Sequence, residues 1–340
     1  MKAFNHFLNT ARQMLPWIQN SRNLDDFTIR RYEDKISFDI DPSDEIMQKV
    51  AEHGQLHLMQ TYVLFEMIRK GPKALNLPDR YIAPLLNTDL NLGISDYNQP
   101  FDFMCVNLPA DFINKYTAEY EDDALGNGPG QHSPECVMIC HNQETQVLIV
   151  HVTFTSNQAI TAMLTSGDDI EQQIDATLQE TLSGSASIDH SETIAAGAAA
   201  KIALNAMLLA ENNLRGLGPY NESYYNRLKK HSQNKNITTT QKRTNEIELT
   251  THPFMYEIDQ NVQTYNKSDG SEPTGTRGGN KPHWRRGHYR LQRHGKGLEL
   301  QKRLRIPPIL VNSHLFLGNN IDSKVTYELN TPIQKTSASS

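Results

Sequence analysis

The chain has 340 residues, of which 37% are apolar and 21% are charged. This length and composition exclude a fibrous or intrinsically disordered protein and allow a sizeable core. No window approaches the roughly 18 uninterrupted apolar residues that a membrane span requires, so no membrane partner is expected. The N-terminus lacks the apolar core of a signal peptide, and Cys105, Cys136 and Cys140 are a sparse, odd set. We therefore expect a cytoplasmic protein with free thiols.

The charge of the chain is distributed unevenly. The formal net charge is −6, but residues 281–305 hold nine basic residues against the single acid Glu299, a local net charge of +8 that leaves −14 for the rest. This asymmetry predicts an acidic body with one cationic surface. The nine basic residues are Lys281, Arg285, Arg286, Arg290, Arg293, Lys296, Lys302, Arg303 and Arg305.

The first 95 residues have a helical pattern. Apolar residues recur at helical spacing from Phe4 to Ile18. Ser43 is a suitable N-cap for a second, longer segment that ends at Gly71 and Pro72. These stripes predict core-facing helices.

Strand patterns begin near residue 96. Phe101–Val106 is an apolar run typical of a strand, and Pro109 stops it. Cys136–Cys140 and Thr145–Thr155 are two further strand-like runs joined by a short polar segment, which predicts a hairpin.

Two helices are predicted next, followed by polar stretches. Ile170–Leu182 is amphipathic, and Ser191 would cap an alanine-rich helix from Glu192 to about Asn212. Residues 229–243 and 266–280 are polar and predict flexible loops. The apolar run Pro253–Ile258 between them predicts a short strand.

These patterns together predict an α+β fold. It would combine a helical N-terminal part, a mixed or antiparallel central sheet with packed helices, and a basic C-terminal strand or hairpin. The expected regions are 1–95 (helical), 96–215 (α+β core), 216–280 (extended, with flexible loops), 281–318 (basic motif segment) and 336–340 (frayed tail).

The segment from Lys281 to Asn312 is the predicted functional centre. Arginine forks bind phosphate in a bidentate manner, and interleaved aromatic rings are able to stack on bases. If residues 283–290 form one strand, every second residue from Trp284 shares a face. The candidate RNA- or anion-binding residues are His283, Trp284, Arg285, Arg286, His288, Tyr289, Arg290, Arg293, Lys296, Arg303 and Arg305, and the candidate structural positions are Gly287, Gly295, Gly297, Pro307 and Asn312.

Two other interpretations of this segment stay open. His283 and His288 are candidate catalytic residues, because a histidine titrating near neutrality moves protons while arginines stabilise a phosphorane. That arrangement would be a metal-independent ribonuclease. Alternatively, the segment is a solvated strand whose arginines pair with acids of the body.

Two short motifs point weakly to other chemistry. Cys136, Cys140 and His141, with His132 upstream, approach zinc spacing, but both cysteines lie on one strand face among apolar residues. Buried thiols explain them better, so no metal is expected. Gln292-x-x-Gly295-x-Gly297 is similar to the pyrophosphate loop of acetyl-CoA-dependent acyltransferases, although the preceding residues are too polar for the buried strand that such a loop follows. No cofactor is expected.

The sequence from Pro282 to Tyr289 resembles a type V-A anti-CRISPR family carried by phages and plasmids. Gly295 and Gly297, the basic run Lys302–Arg305, and Val311–Ser313 match the segments that follow in that family. The resemblance implies a cytoplasmic protein of the bacterial host that suppresses synthesis of the CRISPR effector nuclease. It would recognise the nascent polypeptide of this target and cause translation-dependent loss of the mRNA.

The resemblance also implies a division of labour and a set of partners. The acidic body would bind the target polypeptide, and the basic segment would contact RNA or the ribosome. On this interpretation the protein is a regulator that evades host defence rather than an enzyme, and a ribonuclease if it is an enzyme.

Overall fold

The computed structural model describes twelve stretches of the chain. Within them, the first elements are a hairpin of β1 (Thr28–Tyr32) and β2 (Lys35–Asp39), and then helix α1 (Gln55–Lys70). The described residues are 28–32, 35–39, 55–109, 133–155, 159–165, 169–184, 190–234, 236–258, 283–285, 288–298, 300–306 and 309–311.

A seven-stranded mixed sheet organises the body. Its first five strands in the chain are β3 (Lys73–Asn76), β4 (Phe103–Asn107), β5 (Pro134–Asn142), β6 (Val147–Phe154) and β7 (Ala159–Thr165). The last two are β8 (Leu214–Pro219) and β9 (Phe254–Ile258). The spatial order is β7-β6-β5-β4-β3-β9-β8.

Five more helices accompany α1 in the described part of the chain. They are α2 (Ile82–Leu86), α3 (Ile170–Gly184), α4 (His190–Asn213), α5 (Glu222–Ser232) and α6 (Thr239–Thr250).

The sheet is antiparallel on one side and partly parallel on the other. Strands β4 to β7 form an antiparallel meander, whereas β3 runs parallel to both of its neighbours, β4 and β9. Every residue of β6 is buried, because helices cover both faces of the meander. Such two-sided cover explains the nearly continuous apolar runs that identify β4, β5 and β6 in the sequence.

Each face of the sheet has its own core. Phe103 and Met138 pack with Phe65 of α1 on one face, and Val106 and Val150 pack with α3 and α4 on the other. Because side chains alternate along a strand, adjacent residues serve opposite cores. The body is therefore a sheet between two helical layers.

Helix α4 is the central helix of the second core. Within the described residues it is the one helix long and apolar enough to cross a bilayer, and its apolar window from Glu192 to Glu211 is wholly buried in the fold. Its alanines permit close helix–sheet packing, since small side chains let the backbones approach. Polar residues inside such an apolar helix need partners within the core. Lys201 and Asn205 are two such residues, and both are buried.

The predicted α+β fold, with a mixed central sheet and packed helices, is confirmed. Strand β4, the β5–β6 hairpin, helices α3 and α4, and strand β9 form where the sequence predicts them. The helix predicted over Phe4–Ile18 and the cap at Ser43 lie outside the described residues, as do residues 266–280 and 336–340.

Two predictions about secondary structure are wrong. Residues 1–95 are not uniformly helical, because they contain β1, β2 and β3, and β3 lies inside the sheet between β4 and β9. The sheet thus takes strands from three of the predicted regions. The segment 229–243 is not a loop throughout, since it holds the end of α5 and the start of α6, and only residues 233–238 connect the two helices.

Local capping explains why helices α5 and α6 extend into residues 229–243. The side chain of Asn221 accepts a hydrogen bond from the Tyr224 amide at the start of α5. At the start of α6, Thr238 and Gln241 form a reciprocal capping box with distances of 3.1 and 3.2 Å. Such caps stabilise helix ends that bury few apolar residues.

Candidate functional site

The basic C-terminal segment folds as two antiparallel strand pairs. Strand β10 (His283–Arg285) pairs with β13 (Ile309–Val311), and β11 (His288–His294) pairs with β12 (Leu300–Ile306). We call β11 and β12, with the turn between them, the basic ribbon. The predicted basic hairpin therefore forms, although residues 283–290 are divided between two sheets and are not a single strand.

The two pairs keep one register. Residues 286–287 separate β10 from β11, and residues 307–308 separate β12 from β13. The pair of His283 with Val311 and the pair of His288 with Ile306 therefore belong to one alignment. Pro307 and Pro308 lack the N–H group that a strand ladder requires. The sequence therefore disfavours ladder pairing at these two positions, which lie outside the described residues.

The register sorts the residues of the basic ribbon onto two faces. Directly opposed residues of an antiparallel pair share a face, and the face alternates along each strand. One face holds the positions Tyr289 with Arg305, Leu291 with Arg303, and Arg293 with Gln301. The other face holds the positions His288 with Ile306, Arg290 with Leu304, Gln292 with Lys302, and His294 with Leu300.

The register therefore groups part of the predicted binding set. The register positions of Tyr289, Arg293, Arg303 and Arg305 belong to one alternating set of β11 and β12, and those of His288 and Arg290 belong to the other. The predicted residues Arg286, Gly287, Pro307 and Asn312 lie outside the described residues.

The turn of the basic ribbon is exposed to solvent. Arg293, Lys296 and Lys302 are exposed, and Leu300 has 59% of its surface accessible. Cationic side chains at such a turn are free to meet an approaching polyanion, whose phosphates attract them through solvent. The basic ribbon is thus a cationic projection from the acidic body.

Gly295 and Gly297 adopt backbone angles in the turn of the basic ribbon that other residues rarely adopt. Their φ angles are +84° and +75°, a region that favours glycine. A Cβ atom on Gly295 would also lie 3.1 Å from Cδ1 of Leu300. Because strand β12 follows this turn, and not a helix N-terminus, the geometry does not fit an acetyl-CoA pyrophosphate loop.

Trp284 anchors the segment in the body. Only 7% of its surface is accessible, and it belongs to the same core as α4. Its indole Nε1 donates a hydrogen bond of 2.7 Å to Oδ1 of Asn205 on α4. The prediction that Trp284 stacks on bases is therefore wrong, because its ring is buried and its polar atom already has a partner.

Asn205 connects that anchor to the segment that ends α2. Its Nδ2 donates to the carbonyl oxygens of Leu85 and Thr88, at 3.0 and 3.1 Å. All of its side-chain polar atoms therefore have partners inside the core, as a fully buried amide requires. Sequence reasoning missed Asn205, although an asparagine amid apolar residues of a buried helix is a signal for such a role.

A buried ion pair supports the same region. Nζ of Lys201 lies 2.5 Å from Oε1 of Glu171, and the second oxygen of Glu171 accepts from the Leu90 amide at 3.0 Å. Next to this segment, Asp89 forms a parallel β-bridge with His283. Strand β10 is thus held by the loop after α2, and the basic ribbon projects from an ordered base.

The remaining candidate residues occupy distinct environments. Arg285 is exposed and His283 is half-buried. His283 and His288 lie in different strand pairs, opposite Val311 and Ile306, so the register does not place them as cross-strand neighbours. The catalytic role predicted for His283 and His288 stays a prediction.

The cysteines are buried free thiols, as predicted. Cys136 and Cys140 pack in the core beneath α1, and Cys136 Sγ lies 2.9 Å from Thr153 Oγ1. His141 points to the opposite face, where its ring contacts Tyr97 edge-on. His132 lies outside the described residues, and those residues contain no group of three His, Cys, Asp or Glu side chains suited to a metal.

Comparisons with known proteins place this arrangement in a family. The chain is 15% identical to the protein in "Crystal structure of AcrVA2", with a TM-score of 0.36, over 92% of this chain and 96% of that one. No curated protein matches the chain. The model of the AcrVA2-like family, described as the Anti-CRISPR type V subtype A2 family, matches residues 78–313, which extend from the start of α2 through the basic ribbon to β13. The chain belongs to the Anti-CRISPR type V subtype A2 family.

Proposed function

We propose that this anti-CRISPR protein recognises a target polypeptide during its synthesis and lowers the target's expression through loss of the mRNA. The target class is a CRISPR effector nuclease, and the basic ribbon contacts the mRNA or the ribosome. Family membership supports the anti-CRISPR function. The observation that carries the RNA contact is the exposed cationic turn of the basic ribbon, anchored through Trp284.

The arrangement of the basic ribbon suits a phosphate backbone. A two-stranded ribbon carries cations on both faces, with Arg293 and Lys302 on opposite ones. Arginine grips phosphate with a planar fork, and lysine acts as a compact point charge. Contacts of this kind position a protein on RNA without reading sequence, so selectivity for one mRNA would come from recognition of the polypeptide.

The buried residues beneath the basic ribbon fix the position from which it would contact RNA. A cationic segment on a mobile tail loses conformational entropy when it binds, whereas a hairpin held by a buried tryptophan has lost much of it already. Trp284 and Asn205 therefore contribute to binding as positioning residues that do not touch the RNA.

The cellular test uses a bacterium that carries a type V-A CRISPR system. Expression of the protein should lower both the effector nuclease and its mRNA. A matched transcript whose start codon is removed should keep its normal level, because loss requires translation. Equal loss of both transcripts, or unchanged mRNA with a silenced system, would contradict the proposal.

A biochemical test separates the regulator from a ribonuclease. Purified protein is incubated with target mRNA in the presence and absence of translating ribosomes. We expect the mRNA to remain intact without ribosomes. Cleavage by the protein alone that His288→Ala abolishes would establish the ribonuclease and refute the regulator.

A further inference from the structure

Helices α5 and α6 form a second cationic projection, separate from the basic ribbon. The two helices pack antiparallel against each other and are joined by residues 233–238. We call residues 229–243 the helical tip. Nearly all of its described residues are exposed, Ser232 and Ile237 being half-buried, and α6 contains no buried residue at all.

The contacts that hold α5 and α6 to the sheet lie next to the strands and outside the helical tip. The ring of Tyr225 lies 5.6 Å from that of Phe254 in β9 and 5.3 Å from that of His252. Tyr224 donates a hydrogen bond to Glu248, which ties α5 to α6 near the sheet. These contacts all lie outside residues 229–243, so the tip projects beyond the packed base.

The charge of the helical tip is positive. Lys229, Lys230, His231, Lys242 and Arg243 are exposed, and residues 229–243 contain no acidic residue. Lys229, Lys230 and Lys242 form no ion pair with any residue of the described stretches. No ion pair within the described stretches therefore neutralises these three lysines.

Helix electrostatics explain only some of these basic residues. Lys229 and Lys230 lie in the last turn of α5, where positive charge favourably meets the negative end of the helix dipole. Lys242 lies in the first turn of α6, which has no acidic residue, and there the dipole disfavours a cation. An anionic partner at the tip would compensate this unfavourable placement.

The remaining surface of the tip indicates which anion. Its described residues between Lys230 and Lys242 are His231, serine, threonine, asparagine and glutamine, together with the half-buried Ile237. A protein interface needs aromatic or aliphatic anchors at its centre, and the tip exposes none. Hydroxyl, amide and ammonium groups are instead the usual partners of phosphate and sugar oxygens.

We infer that the helical tip is a second RNA-binding surface, which contacts the sugar–phosphate backbone through Lys229, Lys230 and Lys242. This goes beyond the proposed function, which places the RNA contact at the basic ribbon alone. Two separate cationic projections would let one protein hold a strand at two points, which raises affinity through effective concentration.

Three double variants with equal loss of charge test the inference. The tip variant is Lys230→Gln with Lys242→Gln, the ribbon variant is Lys296→Gln with Lys302→Gln, and the body control is Lys70→Gln with Arg80→Gln. Each removes two positive charges from exposed positions. Affinity for a fluorescein-labelled single-stranded RNA is measured between about 50 and 200 mM salt.

The expected result is a loss specific to the projections. Two phosphate contacts on single-stranded RNA contribute about 1.4 to the slope of log affinity against log salt. The tip variant should lose about that much slope and bind on the order of tenfold more weakly, whereas the body control should match the wild type. Lys230→Arg with Lys242→Arg should restore binding, and circular dichroism should show an unchanged helix content in all variants.

The other outcomes distinguish the inference from the proposed function. If only the ribbon variant binds weakly, the inference is overturned and the proposed RNA contact stands. If only the tip variant binds weakly, the inference stands and the proposed RNA contact of the basic ribbon fails. If neither variant differs from the body control, the inference and the proposed RNA contact both fail. A tip variant that keeps its RNA affinity but loses affinity for poly-L-glutamate would assign the tip to an acidic protein and overturn the inference.

Discussion

The body around α4 and the basic ribbon meet at Trp284, yet they are specified in opposite ways. Helix α4 is buried along its length, so nearly every residue is dictated by packing. The basic ribbon exposes Arg293, Lys296 and Lys302, whose identities packing does not dictate. The comparison shows that the residues required for folding and the exposed residues of the basic ribbon are largely different sets. Trp284 connects the two regions.

The largest expected effect on stability comes from replacing Trp284, which connects the body to the basic ribbon. Trp284→Ala removes a buried ring and leaves Oδ1 of Asn205 without its donor, which should destabilise the protein by about 3–5 kcal/mol. Trp284→Phe keeps most of the ring and loses only the N–H group, so the cost should fall to about 1–3 kcal/mol. Urea unfolding measures both. Equal values for the two variants would show that the hydrogen bond decides the stability and packing does not.

A pH effect on stability is expected from the body. His151 is buried with Nδ1 at 2.7 Å from Thr161 Oγ1, and burial lowers its pKa to about 4. The unfolded chain, whose histidine titrates near 6.5, therefore takes up a proton first as the pH falls. The contribution to stability is complete above about pH 6.5 and is lost as the pH falls towards 4, by up to about 3 kcal/mol.

His151→Gln tests this assignment by comparison with the wild type. Urea unfolding at several pH values between these limits should show a steeper loss of stability in the wild type than in the variant. The raised pKa of Glu66, caused by its burial, acts in the opposite direction in both proteins and cancels from the comparison. Parallel pH profiles would refute the role of His151.

A smaller effect is expected within the ribbon's turn. Gly295→Ala places a side chain at a φ of +84° and 3.1 Å from Leu300, which should cost about 1 kcal/mol. The cost should be local, so amide hydrogen exchange should accelerate in β11 and β12 while the protection of α4 stays unchanged. Gly93→Ala, whose Cβ would meet only Ser95 at 3.8 Å, is a matched control.

The smallest effect on stability should come from the exposed cations. Arg293→Gln should change the free energy of unfolding by less than about 0.5 kcal/mol. It should nevertheless reduce the salt slope of RNA binding by about 0.7, since one phosphate contact is lost. If the variant unfolds more easily but binds RNA normally, Arg293 contributes to stability and not to RNA binding, and the prediction is contradicted.

Much of the body was predictable because its signals are local. The apolar runs of β4 to β6 and the alanine-rich α4 are visible as periodic patterns. Strand β3 was not predictable, since four residues are too few to show a period, and its place between β4 and β9 depends on partners far along the chain.

The candidate site was predictable in composition but not in geometry. The cationic character of the ribbon follows from the sequence, and so do the glycines of its turn. The burial of Trp284 does not, because its partner Asn205 is 79 residues away and a tryptophan beside arginines equally suits base stacking. Helices α5 and α6 were missed because they bury little apolar surface, and caps rather than periodicity define them.

The position of β3 has a consequence for how the chain folds as it is synthesised. The meander from β4 to β7 uses contacts between neighbours in sequence and is able to form early. Strand β9 adds to β3 only after some 180 further residues have been made, and Trp284 docks later still. We therefore expect vectorial folding in which the core stays open at one edge until β9 has been made, and the basic ribbon takes its final position only after Trp284 has docked.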